Sequence, residues 1–330
     1  MPPIFNTPRG GPGTTGTSLD HLGLAACGFN PAPIGTSADS TIYEAGHFYA
    51  VPETADHQRL RLLVDTGGAG GSGWFVVDAG AVRRLKLPTV ICSLGTARLD
   101  VIQSTPFRSG RSLPGTSATP CSSAALVSLT IGHATHGADG VLGAGYLPDH
   151  VWTFDYPQRQ IWEEARGWRP TADMHRAELG FPRNAAGKPV SGFPRITIQV
   201  DGKALDMLLD TGATAQPTTA GEQASHIPIK NGIGVTSYIT TSMLERWHHQ
   251  HPCWRIVDDG DSLLGHAHLI EVPQIEVAGL KTGPVWFTER PDANFHDGMS
   301  RYMDRRVEGS LGANVYGQWV MTLDYPRATA

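Results

Sequence analysis

The chain has 330 residues and a formal charge of −5, with 40% apolar and 17% charged residues and 39 Gly and 24 Pro. That apolar share excludes intrinsic disorder, and 31 acidic against 26 basic residues exclude a broad nucleic-acid surface. No apolar run approaches the ~18 residues of a membrane span. Many turn formers with little charge favour short strands over long helices.

Residues 1–40 are rich in Gly, Pro, Thr and Ser, lack apolar periodicity and are expected to form a flexible arm. Leu24-Ala25-Ala26-Cys27 has the look of a lipoprotein cleavage box. A secretory signal needs an apolar stretch before the cut, and Thr17-Ser18-Leu19-Asp20-His21 stands there instead, so the match reads as coincidence. Residues 41–165 are expected to form a first β lobe. Apolar runs predict strands at His47–Val51, Arg59–Val64, Trp74–Val77, Leu126–Ile131, Val151–Asp155 and Ile161–Trp162, with a helix ending near Leu85. Residues 166–192, punctuated by Gly167, Pro170, Pro182, Gly187 and Pro189, are expected to link this lobe to a second one at 193–330. There the predicted strands are Arg195–Val200, Leu205–Leu209, Ser237–Ile239, Ile270–Val277, Val285–Thr288 and Val320–Leu323. Asp201-Gly202 signals a hairpin, and a helix runs from Ser242 towards His249.

The chain repeats itself. Residues 140–157 align without gaps to residues 309–326, and nine of the eighteen positions are identical, including Leu-Gly-Ala early and Asp-Tyr-Pro at the end. The offset, Gly143 to Gly312, is 169 residues. Upstream, Leu62-Leu63-Val64-Asp65-Thr66-Gly67 matches Met207-Leu208-Leu209-Asp210-Thr211-Gly212 at an offset of 145. The order of the two blocks is the same in both halves. Most of the extra length in the second half falls just after Asp210, at Ala213–Thr236, which reads as a loop insertion at the rim of whatever Asp210 faces.

Each Asp follows a strongly apolar strand and precedes Thr-Gly. A carboxylate at the end of a buried strand is costly unless it is functional or well paired. Two such turns facing across a quasi-twofold axis would place Asp65 and Asp210 side by side, sharing a proton. One carboxyl group would act as base towards a water, and the other would donate a proton to the substrate carbonyl. Thr66 and Thr211 would lock the turns, and Gly67 and Gly212 would let the backbones approach closely. Gly68 and Ala213 would lie at the cleft rim. The plainer reading is two Asp residues that merely cap tight turns.

With these blocks the chain resembles the aspartic proteases of the pepsin and retropepsin type. The resemblance rests on apolar-apolar-Asp-Thr-Gly at Asp65 and Asp210, and on the later signatures Val141-Leu142-Gly143 and Ser310-Leu311-Gly312. It covers about residues 45–327. The closing Asp-Tyr-Pro is similar to that of bacterial retropepsin-like domains. The resemblance implies a mainly β, bilobal fold of two related β lobes with a cleft between them, and an aspartic endopeptidase acting on a peptide or protein substrate. In that family the later signature packs beside the Asp turn. It implies no metal and no organic cofactor, because water is the nucleophile. A monomer is expected, and a location outside the cytosol is favoured although no signal peptide is visible. The chain departs from the family at Gly68, where Ser or Ala is usual, and at Ser310, where an apolar residue is usual. A tyrosine-bearing flap has no clear counterpart; Ile91–Gln103 and Phe107–Gly115 are the candidates. The alternative is a protein of the same fold that binds peptide or carbohydrate in the cleft without cutting it.

Other motifs fare worse. Gly68-Ala69-Gly70-Gly71-Ser72-Gly73 fits a dinucleotide fingerprint, but strand-forming Trp74-Phe75-Val76-Val77 follows where a helix is required. His248, His249, His251 and Cys253 read as a solvated helix end rather than a zinc site. Asp258-Asp259-Gly260-Asp261 reads as a turn rather than a calcium loop. The four cysteines, Cys27, Cys92, Cys121 and Cys253, make neither a disulfide scaffold nor a paired zinc motif; a single Cys92–Cys121 bridge is compatible with them.

Overall fold

The computed structural model describes residues 41–70, 74–94, 96–102, 108, 113, 125–128 and 137–330. The expected arm at 1–40, with its Leu24–Cys27 box, lies outside them. So does most of the flap candidate Phe107–Gly115.

The first half contributes β1 (Thr41–Glu44), β2 (His47–Ala50), β3 (Leu62–Val64), β4 (Phe75–Asp78), β5 (Thr89–Leu94), β6 (Ala97–Ile102), β7 (Ala125–Ser128) and β8 (Gly140–Leu142). They form one sheet in the order β1-β2-β3-β8-β4-β7-β6-β5. Helix α1 (Ala79–Leu85) follows β4 directly. Asp78 caps it by accepting from the Gly80 N–H at 2.9 Å, and Lys86 ends it in a left-handed conformation at φ 50°. The helix therefore opens only after the Trp74–Val77 strand, which removes the dinucleotide-binding reading.

After β9 (Val151–Asp155) and β10 (Gln160–Glu163), the second half contributes β11 (Arg195–Val200), β12 (Lys203–Leu209), β13 (Thr214–Ala215), β14 (Gly234–Val235), β15 (Ser237–Thr240), β16 (Ile256–Asp261), β17 (Ala267–Val272), β18 (Ile275–Val277), β19 (Leu280–Thr282), β20 (Val285–Arg290), β21 (Gly309–Leu311) and β22 (Val320–Asp324). Its main sheet runs β16-β17-β20-β15-β21-β12-β11-β18-β19. Read from the opposite end, β11-β12-β21-β15-β20-β17-β16 reproduces β2-β3-β8-β4-β7-β6-β5. The senses agree pair by pair: β3 with β8 and β12 with β21 are parallel, β4 with β8 and β15 with β21 are antiparallel, and β4 with β7 and β15 with β20 are parallel. The protein is thus mainly β, with two related lobes. A third sheet, β10-β9-β22, takes strands from both halves and joins them.

Burial follows the apolar runs. Leu62, Val64, Leu142, Leu209 and Leu311 are all fully buried at 0% exposure, so the strands that end in the two Asp turns run through the core. Phe48, Phe154 and Tyr156 pack edge-on and stacked around β9, with ring centroids 5.1–6.4 Å apart.

Several expectations change. Ile270–Val277 is two strands, because Pro273 cannot donate to a sheet ladder and separates β17 from β18. Ala213–Thr236 is not a bare loop: it holds β13, helix α2 (Thr219–Ser225) and β14, with β13 and β14 paired. Asp258–Asp261 is a bulge in β16 rather than a turn, with Asp259 at φ 53°. Ile91–Ile102 belongs to the β5–β6 hairpin at the sheet edge. His248 and His249 end helix α3 (Thr241–Gln250), and His251 stacks on Trp254 with centroids 4.2 Å apart. No metal-holding cluster of His, Cys, Asp or Glu occurs among the described residues, and no described helix is long and apolar enough to cross a membrane. Cys92 is disulfide-bonded, Cys253 is free and exposed, and Cys121 lies outside the described residues.

Candidate active site

Strands β3 and β12 end in the two Asp-Thr-Gly turns. Each turn is tied to the strand beside it in the same way: the Asp65 N–H donates to Leu142 O and the Asp210 N–H to Leu311 O, both at 2.9 Å. The late signatures therefore hold the Asp turns in both halves, as their repetition implies. Inside each turn the carboxylate accepts from the Gly two residues on, Gly67 to Asp65 Oδ1 at 2.8 Å and Gly212 to Asp210 Oδ1 at 3.1 Å.

The two threonines join the turns. The Thr66 N–H donates to Thr211 Oγ1 at 3.1 Å, and the Thr211 N–H to Thr66 Oγ1 at 3.0 Å. Each hydroxyl then donates across the interface, Thr66 to Leu209 O at 2.6 Å and Thr211 to Val64 O at 2.9 Å. Four hydrogen bonds thus saturate two buried hydroxyls and lock the lobes together below the carboxylates.

The glycines are required by close approach. A β-carbon on Gly67 would overlap the Asp210 carboxyl group, one on Gly212 would overlap that of Asp65, and one on Gly68 would overlap Asp65 Oδ2. In this geometry Gly68 leaves room for Asp65. Ala213, expected at the rim, is only 2% exposed, and its methyl packs towards Gly312. Its visible part in the turn is a backbone N–H donating to Asp210 O at 3.4 Å. Gly68 is partly exposed and makes the equivalent bond to Asp65 O at 3.3 Å.

Asp65 and Asp210 lie close together, since a β-carbon on the turn glycine of either half would meet the carboxyl group of the other. Burial pushes the Asp210 carboxyl well above the usual carboxylate range, and the Asp65 charge and the shared hydrogen bond push it further. Burial raises Asp65 too, but the bond from Asp210 and the N–H groups of Gly67, Gly68 and Gly212 pull it back. Both carboxyl groups are raised and each bears on the other, so they take up and release protons as a pair. The Asp residues of the two Asp-Tyr-Pro segments do other work. Asp155 Oδ1 accepts from the Gln158 N–H at 2.8 Å and Asp324 Oδ1 from the Arg327 N–H at 3.0 Å, closing matching turns.

The region after Asp210 is anchored by a buried ion pair that sequence reading missed. Asp261 and Arg290, 0% and 3% exposed, meet at 3.2 Å. Asp261 also accepts from the Gln216 N–H at 3.0 Å, and Arg290 lies over the Tyr238 ring at 4.3 Å. Thr214 is held by Tyr238 and by His47, whose Nε2 is 3.0 Å from its Oγ1. An Asn231-Gly232 turn, at φ 54° and 79°, closes a tight hairpin between Lys230 and Ile233. Asn-Gly was the available sequence signal for that hairpin.

A second opening lies beside the first turn. It is a cavity of about 1120 Å³ walled by Gly70, Tyr146, Phe181, Phe193, Tyr302 and Tyr325.

No protein-family model matches this chain, and no curated protein matches its sequence. Among solved structures it is similar to basic 7S globulin from soybean, at 10% identity and a TM-score of 0.39, over 90% of this chain and 92% of that one. It is similar to conglutin gamma, a basic 7S globulin from lupine seeds, at 10% identity and a TM-score of 0.38, over 91% and 94%. A third structure, edgp, gives 13% identity and a TM-score of 0.38 over 91% and 94%.

Proposed function

We propose that the chain is an aspartic endopeptidase that acts as a monomer, each lobe supplying one carboxyl group. The observation that carries this reading is the Asp65–Asp210 pair at the junction of the lobes, each carboxyl group lying against the turn glycine of the other half, with both raised above the usual carboxylate range. In this reading Asp65, whose carboxyl faces the N–H groups of Gly67, Gly68 and Gly212, is the base and accepts a proton from water. Asp210, protonated, donates to the peptide carbonyl oxygen as the water oxygen attacks the carbonyl carbon. The tetrahedral intermediate collapses when the C–N bond breaks and the proton on Asp65 passes to the leaving amine. As the C–N bond breaks, one hydroxyl of the diol returns its proton to Asp210, so that a carboxylic acid and an amine separate and the dyad again holds one proton. Water supplies the nucleophile, and no step calls for a cofactor. The cavity beside Gly70 and Phe193, where Phe181 and Tyr302 stand with Arg183 and Lys188, has room for side chains of an extended peptide.

A second reading keeps the cleft and drops the chemistry, giving a binder of peptide or carbohydrate. It is favoured by one local observation: neither Gly68 nor Ala213 offers a hydroxyl to the carboxylates. Cleavage of a mixed peptide set at acidic pH, with and without a statine-type inhibitor, separates the two. Inhibitor-sensitive products that vanish in Asp65→Asn and Asp210→Asn support the peptidase. Peptide or glycan binding without products supports the binder.

A further inference from the structure

The β1–β2 hairpin and the Lys230–Ile233 hairpin face each other across a small cavity of about 280 Å³, lined among others by Glu44, His47, Tyr49, Arg61, Lys230 and Ile233. Two cations and one carboxylate meet there. Arg61 and Lys230 both bind the Glu44 carboxylate, one on each oxygen. Glu44 is held below the usual carboxylate range by those two partners against the effect of burial, so it is ionised and the cluster keeps one net positive charge. Donors remain. The Arg61 Nε–H is buried with no hydrogen-bond partner among the described residues, and an ammonium group has three N–H donors. The Arg61 guanidinium is fixed in place, lying over the Tyr49 ring at 3.9 Å. Lys230 sits at the start of a tight Asn-Gly turn, so its backbone is fixed too.

The cavity also adjoins the second Asp turn. His47 from its wall reaches Thr214 Oγ1 at 3.0 Å, and Thr214 Oγ1 donates to Gly212 O at 2.7 Å. Two hydrogen bonds thus connect the cavity wall to the turn that carries Asp210.

We infer that this cavity, built from Arg61, Lys230 and Glu44 between the two hairpins, is a subsite for an acidic side chain of the bound peptide. The peptide carboxylate takes the remaining N–H donors of Lys230, lies beside the Arg61 guanidinium and neutralises the excess charge, while the Arg61 Nε–H itself is closed off by burial. A neutral amide of the same shape gains less, because only an ionised acceptor makes charge-assisted hydrogen bonds here. Lys230 is 54% exposed, so solvent weakens its share. The inference rests on the cleft binding peptide, but not on its cutting peptide.

The test uses fluorescent octapeptides that are identical except for Glu or Gln at each position in turn. Binding is read by anisotropy on the full chain carrying Asp65→Asn, which keeps the peptide intact, and cleavage is read on the wild type. At one position Glu should bind roughly fivefold tighter than Gln, about 1 kcal/mol at tenfold per 1.4 kcal/mol. Added Lys230→Gln should cut that preference to about twofold or less, and Arg61→Met should do the same. Lys230 lies on the surface, so its replacement keeps the result readable if Arg61→Met fails to fold. Equal binding of Glu and Gln peptides at every position, no binding of either, or a preference that survives Lys230→Gln overturns the subsite. Preferential binding of Glu without cleavage by the wild type keeps the subsite and removes the peptidase. Cleavage without any Glu preference does the reverse.

Discussion

Thr153 and Thr322 face each other across the β9–β22 ladder with their hydroxyl oxygens 2.8 Å apart, and 169 residues separate them along the chain. That separation is the offset of the late repeat. The antiparallel register pairs Val151 with Asp324 and Asp155 with Val320, so each strand meets its own counterpart in reverse. Only a local twofold axis through the threonine pair gives such a register. The same symmetry recurs at Thr66 and Thr211, where every hydrogen bond in one direction has its partner in the other. The reciprocal bonds of Thr66 and Thr211 bring the two Asp turns together.

Asp65→Asn and Asp210→Asn should each lower the rate of peptide cleavage by at least about 10²–10⁴-fold, the range supplied by a positioned acid or base. Folding should persist, because an amide still accepts the Gly67 or Gly212 N–H. Near wild-type turnover in either variant, with native circular dichroism, would rule out the proposed mechanism.

The dyad should make the protein sensitive to alkali. Asp210 binds its proton more tightly folded than unfolded, so the native state holds more protons. This contribution to stability is complete below the unfolded Asp value of about 4 and is lost as pH rises through the raised folded value. Melting temperatures measured from pH 3 to 8 should therefore fall more steeply for wild type than for Asp210→Asn. Parallel curves would show that the pair is not the cause.

Thr66→Val preserves shape but strips a hydroxyl from the lobe junction, leaving Leu209 O and the Thr211 N–H without partners. At about 1–3 kcal/mol per unsatisfied buried group, the expected loss for the two is about 2–6 kcal/mol. Thr66→Ser should restore most of it. Chemical denaturation of both variants decides; a Val variant as stable as wild type would mean that the junction is held elsewhere.

Gly212→Ala should disable the site by crowding. Its β-carbon would overlap the Asp65 carboxyl group, so the turns must move apart. Activity should fall by well over tenfold, because small misplacements of reacting groups cost about 10²-fold. Gly232→Ala, at a positive φ but with nothing near its β-carbon, tests local strain away from the dyad and should leave cleavage largely intact.

Asp261→Ala should cost about 3–5 kcal/mol, because it leaves the Arg290 guanidinium buried and uncompensated and frees the Gln216 N–H. Thermal unfolding measures this directly. A loss below 1 kcal/mol would show that water replaces the carboxylate.

Much of the fold could be read from residue order. The apolar runs before Asp65 and Asp210, the late Leu-Gly-Ala blocks and the alternation at Arg195–Val200 all depend on neighbours along the chain, and β9 and β11 have the bounds their patterns predict. The pairing of two Asp-Thr-Gly turns was legible because duplication writes the same strand twice. Folding alone decided what depends on distant contacts. Pro273 splits a strand that propensity joins. Residues 213–236 acquire a helix and a ladder because Asp261 and His47, remote in sequence, hold Gln216 and Thr214. Ala213 is buried because Gly312 leaves space for its methyl. The different surroundings of Asp65 and Asp210 likewise have no sequence signature: identical triplets are told apart by the N–H groups, the charge and, at Asp210, the Ser310 hydroxyl that the folded chain brings to each, and electrostatic energy depends on those distances.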